Sequence, residues 1–181
     1  LPPAPPGAIP VREAHRFDER ALEKYFREHV PGYQGPLVVW QFEGGQSNPT
    51  FALHAGPQRW VLRKKPPGKL LPSAHAVDRE YRVIRALGST GFPVAKAIAL
   101  CEDESVIGTA FYVMELVEGR IFRNPTLPGV APAERAAIYD AMNDVLARLH
   151  TVDYAAVGLG DYGRPGNYFA RQIDRWTKQY E

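Results

Sequence analysis

Two β-rich runs, Leu37-Val-Val-Trp-Gln-Phe42 and Thr50-Phe-Ala-Leu-His54, are joined by a polar stretch that contains a glycine pair, Gly44-Gly45. A third run, Trp60 to Lys64, follows after the turn Gly56-Pro57. Three such runs in succession, each bounded by Gly or Pro, predict an antiparallel meander. A glycine-and-hydroxyl loop between two paired strands can fold over a polyphosphate. Glycine allows close backbone approach there, and successive amide N–H groups make an anion cradle. A glycine pair alone is weak evidence, because many hairpins turn through glycine.

The rest of the chain supplies context. Asp18 caps a helix with Leu22, Tyr25, Phe26 and His29/Val30 on its apolar face, ending at Pro31-Gly32. After the proline-broken loop 65–73, a helix is predicted from about His75 to Leu87, with Val77, Tyr81, Ile84 and Leu87 on one face. Pro93 to Cys101 and Gly108 to Leu116 read as a fourth and fifth strand. Beyond the Gly/Pro-punctuated stretch 119–131, Ile138, Met142, Val145 and Leu149 recur at helical spacing, and a shorter helix covers Tyr168 to Tyr180. The expected fold class is α+β: a five-stranded antiparallel sheet plus helix, then the start of a helical lobe. The expected organisation is a proline-rich arm over 1–14, a sheet lobe over 15–118 and a partial helical lobe over 119–181.

Bulk properties exclude several classes. The 181 residues carry 22 basic and 20 acidic side chains, interspersed, for a net charge of +2. That balance gives neither a nucleic-acid footprint nor a polybasic membrane patch. A single cysteine, Cys101, permits no intrachain disulfide and fits a reducing compartment. Residues 1–10 contain five prolines and no signal-peptide pattern. No apolar run approaches the roughly 20 residues of a transmembrane helix. The expectation is a soluble, cytoplasmic protein with no nucleic-acid or membrane partner.

The chemistry-bearing positions fall in order along the chain. Amides near Gln46, Ser47 and Asn48 could face phosphate oxygens, with Gly44 and Gly45 supplying the backbone freedom. On the third strand, side chains alternate: Trp60, Leu62 and Lys64 face one way, Val61, Arg63 and Lys65 the other. If Trp60 and Leu62 pack under a helix, Arg63 turns toward the cleft with Val61 beside a base; Lys64 takes its place if the register slips by one. Arg suits phosphate and carboxylate at once. Glu80 borders the buried face of the following helix and could orient that cation, though a surface pairing with nearby arginines is an equal alternative. At the exit of the fifth strand, the Glu115 carbonyl and Val117 N–H have donor–acceptor spacing for a purine edge, with Met114 as an adaptable rear wall. The five histidines show no ligand spacing, so no metal site is expected within the chain.

Gly loop, strand cation, helix carboxylate and a Met114-Glu-Leu-Val-Glu-Gly119 crossover together resemble the amino-terminal lobe of a eukaryotic-like kinase. Gly44-Gly-Gln-Ser-Asn-Pro-Thr-Phe51, Val61-Leu-Arg-Lys-Lys-Pro-Pro-Gly68 and His75-Ala-Val-Asp-Arg-Glu-Tyr-Arg82 are more specifically similar to the aminoglycoside phosphotransferase/choline kinase superfamily. Within it they look most like the phosphotransferase domains fused to acyl-CoA dehydrogenases and their bacterial relatives. The resemblance covers about residues 12–180. It implies ATP between two lobes, Ser47 and Asn48 near the β-phosphate, Arg63 in place of the usual strand lysine, Glu80 as its partner, and γ-phosphoryl transfer to the hydroxyl of a small-molecule substrate. One departure stands out. The family's His-Gly-Asp catalytic loop and its Mg²⁺ ligands have no counterpart: Leu159-Gly-Asp161 lacks the His and the following Asn. The expectations are therefore no catalytic residue within this chain, Mg²⁺ ligands beyond Glu181, and an inactive isolated chain. A nucleotide-binding, pseudokinase-like module is the first alternative and a ligand-free α+β domain the second.

Overall fold

The computed structural model describes residues 3–44, 48–68, 75–164 and 166–181. Its centre is a six-stranded antiparallel sheet. The strands are β1 (Ala8–Ile9), β2 (Val38–Phe42), β3 (Thr50–Ala55), β4 (Gln58–Lys64), β5 (Ala97–Cys101) and β6 (Phe111–Glu115), in spatial order β1-β2-β3-β4-β6-β5. Four helices accompany it: α1 (Glu19–His29), α2 (Val77–Gly88), α3 (Pro132–His150) and α4 (Tyr168–Tyr180).

Helix α1 starts where Asp18 accepts hydrogen bonds from the Arg20 and Ala21 amides at 2.9 and 3.0 Å, satisfying two of the first-turn donors that have no intrahelical partner. Its stripe of Leu22, Tyr25 and Phe26 is buried against Phe51, Leu53, Trp60, Leu62, Phe111 and Val113. Phe26 meets Trp60 edge-on at 5.4 Å. Full burial of a ring such as Phe26 is worth about 2–3 kcal/mol in transfer terms. The opposite face of the sheet receives α2, with Val77, Ala110 and Tyr112 at the centre and Tyr81, Ile84, Leu100 and Met114 around them. Period-two alternation along β4 therefore sends Trp60 and Leu62 to the α1 side and leaves Val61 and Arg63 on the α2 side.

The expected count of five strands is corrected to six. The proline-rich arm is not free along its length: Ala8 pairs with Phe42 and Ile9 with Gln41. Gly7, with φ of +76°, accepts from the Glu43 amide at 3.1 Å. Proline has no N–H to give to a ladder, and Gly7-Ala8-Ile9 is the stretch between Pro6 and Pro10 that can donate. It adds to the open edge of β2.

Two boundaries also shift. The helix expected from His75 begins at Val77, because His75 adopts a left-handed φ of +58° and turns its ring elsewhere. The fourth strand begins at Ala97 instead of Pro93, with a register irregularity between Ala97 and Ala99. Helices α3 and α4 follow the expected ranges, yet neither has a buried residue. Met142, Leu146, Phe169, Ile173 and Trp176 lie exposed. Among the described residues, no helix is long and apolar enough to cross a membrane.

Candidate functional site

The α2 side of β4 carries a polar cluster built from four elements. Arg63 Nε lies 3.1 Å from Glu80 Oε2, with both side chains about one-third exposed. The Nε–H does not point along that line, so the contact is an ion pair and not an aligned hydrogen bond. The Tyr112 hydroxyl donates to the same Oε2 at 3.0 Å. The other carboxylate oxygen, Oε1, accepts from Asn48 Nδ2 at 2.7 Å. Asn48 is buried, and its Oδ1 stands 3.0 Å from His75 Nδ1. Glu80 thus receives a cation and two neutral donors, and its orientation is fixed from both oxygens.

Register explains how these residues meet. Arg63 pairs with Tyr112 on β6 and with Thr50 on β3, so the three share one face. Asn48 precedes β3 by two residues, and the Thr50 hydroxyl donates to its carbonyl at 3.1 Å. Burial, together with the Glu80 charge, pushes the Tyr112 hydroxyl well above the ordinary tyrosine range, so it stays a proton donor at neutral pH. Lys64, the alternative cation, faces the other way: it is buried on the α1 side, 5.9 Å from the Phe17 ring. The register does not slip, and Arg63 holds the place beside Glu80.

Next to Val61 on the same face opens a pocket of about 460 Å³. Phe42, His54 and Val61 form its sheet wall, and Leu116 to Gly119 and Ile121 its far side. Pro3, Ala4, Pro5 and Pro6 close it from the edge. Such a volume, apolar with a few polar groups, is in the range of small-ligand sites. Burial, with Arg59 nearby, lowers the pKa of His54, which keeps it neutral. Arg59 pairs with Glu118 at the rim.

The expected positions distribute as follows. Asn48, Arg63 and Glu80 come together in the cluster, and Val61 and Val117 line the pocket. Met114 packs with the α2 residues. The Glu115 amide donates to the Lys96 carbonyl at 2.9 Å, and its carboxylate accepts from the Lys96 amide at 3.2 Å. Gly44 is exposed, and a side chain there would meet open space. Gly45, Gln46 and Ser47 lie outside the described residues.

Sequence reasoning missed Tyr112, His75, His54 and the arm residues Pro3–Pro6. The strand alternation that selected Arg63 could have found Tyr112 once β4 and β6 were paired; nothing in the sequence pairs them. Asp161, the Gly-Asp string of the helical region, is bound to Arg82 of α2, and Arg82 also donates to the Gly158 carbonyl at 2.9 Å. That ion pair holds the Asp161 carboxyl below its usual range. Arg79 stacks 3.9 Å above the Tyr162 ring. The segment docks on α2, and its carboxylate is spoken for.

The six-stranded antiparallel sheet, with α1 on one face and α2 on the other, has a kinase-like architecture. Residues 38–181 match the family model of the phosphotransferase enzyme family, and the chain belongs to that family. It is 52% identical over 177 residues to acyl-CoA dehydrogenase family member 11 of Rattus norvegicus, an alignment covering 96% of this chain and 23% of the relative. Acyl-CoA dehydrogenase family member 10 of Mus musculus is 48% identical over 176 residues, covering 97% of this chain and 16% of the relative. The chain thus spans about a quarter or less of the length of these curated relatives. Among solved structures it resembles a Ralstonia eutropha JMP134 protein described as a "putative aminoglycoside phosphotransferase". The two share 61% identity and a TM-score of 0.76, over 91% of this chain and 47% of the other.

Proposed function

We propose that this chain is the nucleotide-holding part of an ATP-dependent small-molecule kinase, which moves the γ-phosphoryl group to a substrate hydroxyl. The carrying observation is the Arg63–Glu80 pair at 3.1 Å, tied through Asn48 to the end of the glycine-containing loop. In this reading the base occupies the pocket beside Val61, with Phe42 and Val117 against it and backbone groups of the Glu115–Val117 exit at its edge. The phosphates run toward Arg63 and Asn48. Glu80 engages Arg63 through Nε, and neither terminal guanidinium nitrogen has a partner among the described residues, which leaves the planar fork to meet phosphate oxygens.

Mg²⁺ fits the reaction but is assigned to no residue here, since the described residues contain no cluster of three or more His, Cys, Asp or Glu able to hold a metal. When bound, the ion would supply positive charge against the charge that develops on the phosphates. The part of this chain is binding and positioning. Asp161 is paired with Arg82 of α2, and in this reading it takes no part in activating the acceptor hydroxyl.

The test is calorimetric titration of wild type and Arg63→Gln with Mg-ATP. Saturable binding by wild type, weakened about tenfold or more in the variant, corresponds to at least ~1.4 kcal/mol from the charged contact. Absence of binding by wild type at millimolar nucleotide, or equal affinity in both proteins, overturns the reading.

A further inference from the structure

At the end of β4, where Lys65 leaves the strand, a second recess of about 400 Å³ lies between the Ala14–Arg16 turn, the Lys64–Gly68 segment and the Ile107–Thr109 loop. Three cations, Arg16, Lys64 and Lys65, line it against one carboxylate, Glu104. None of these four side chains takes part in the ion pairs found among the described residues. Lys64 is only 4% exposed. Its described contact is the edge-of-range approach to the Phe17 ring at 5.9 Å, a distance at which attraction to a ring is weak. Burial lowers the pKa of Lys64. The Lys64 side chain is thus enclosed for most of its length, and its ammonium has no ion-pair partner among the described residues. Proteins retain such groups where a ligand supplies the missing charge, or by giving up the proton.

We propose that this recess is an anion site for a phosphate group, held by Lys64 from below and by Arg16 and Lys65 at the rim. β4 then carries two separate anion sites: Arg63 faces the nucleotide cleft, and Lys64 a phosphate recess independent of it. Doubly charged phosphate suits the site better than chloride or a monocarboxylate, because three cations against one carboxylate leave an excess of two positive charges. Pro66 and Pro67 in the same wall give no N–H groups, so side chains dominate the recognition.

The experiment titrates wild type, Lys64→Met and Arg63→Gln with inorganic phosphate, and in a parallel arm with glycerol 3-phosphate. Thermal unfolding and calorimetry are the readouts. Methionine matches the length of the lysine stem and fills irregular space, so Lys64→Met should fold and should melt higher than wild type in phosphate-free buffer. The expected result is a phosphate-dependent rise in Tm for wild type and Arg63→Gln alike, lost in Lys64→Met, with Kd raised at least tenfold. Should Lys64→Met not fold, Arg16→Ala/Lys65→Ala, which leaves the core intact, must show the same loss. Tighter binding of glycerol 3-phosphate identifies a phosphate monoester as the ligand; equal or tighter binding of inorganic phosphate identifies the free anion. Three results overturn the proposal: no stabilisation of wild type at about 10 mM phosphate, a loss of binding that follows Arg63→Gln, or phosphate affinity unchanged by Lys64→Met.

Discussion

The Asn48 side-chain amide donates to Glu80 Oε1 at 2.7 Å, so the loop, two residues before β3, is bonded directly to the helix carboxylate that holds Arg63. Loop, helix and strand therefore share one acceptor. A change in the loop is felt at Arg63 through Glu80.

Removing that acceptor's charge separates shape from electrostatics. Glu80→Gln keeps the volume but gives Arg63, Asn48 and Tyr112 a neutral partner, one end of which is itself a donor. Hydrogen bonds to charged groups are worth about 1.5–3 kcal/mol, and partial exposure of the pair reduces this. The expected outcome is a stability loss of about 1 kcal/mol in urea unfolding, together with a Mg-ATP Kd raised several-fold. Asn48→Ala should reproduce the affinity loss, since it cuts the tie between loop and helix. Unaltered affinity in both variants would show that Glu80 positions nothing the nucleotide uses.

The arm offers a sharper discrimination between base and phosphate. Pro3 to Pro6 line the pocket beside Val61, and none of them is among the bonded partners described in the Arg63 cluster. Replacing residues 3–6 with glycine and serine keeps the β1–β2 pairing but removes the rigid, low-entropy proline surface. Mg-ATP affinity should fall about threefold to tenfold, mostly through faster dissociation, while tripolyphosphate, which has no base, should bind both proteins equally. A parallel loss for tripolyphosphate, measured by calorimetric competition, would mean the arm acts on the fold and not on the base.

His54 makes stability depend on pH. Burial, with Arg59 adding to it, lowers its folded-state pKa below the ordinary value of 6.5. The unfolded chain then binds the proton more readily, so this contribution is complete above about pH 6.5 and is lost as pH falls toward the lowered value. The melting temperature should therefore decline from pH 7 to pH 5. His54→Gln, which does not titrate, should flatten that part of the profile. An equal slope in both proteins would assign the decline to other groups.

What the chain alone determined was mostly local. Asp18 and the Leu22/Tyr25/Phe26 stripe specified α1, and alternation along β4 separated Trp60 and Leu62 from Val61 and Arg63, because strand periodicity and helix caps act over a few residues. The order of glycine loop, strand cation and helix carboxylate pointed to the phosphotransferase family that residues 38–181 match. Three matters were decided only by tertiary structure. The β4–β6 register brought Tyr112 to Glu80, the free edge of β2 captured Ala8 and Ile9, and long-range packing buried Lys64, which has no ion pair among the described residues. Each depends on which distant segments approach one another. That is set by the summed burial of a whole sheet, not by any window of the sequence.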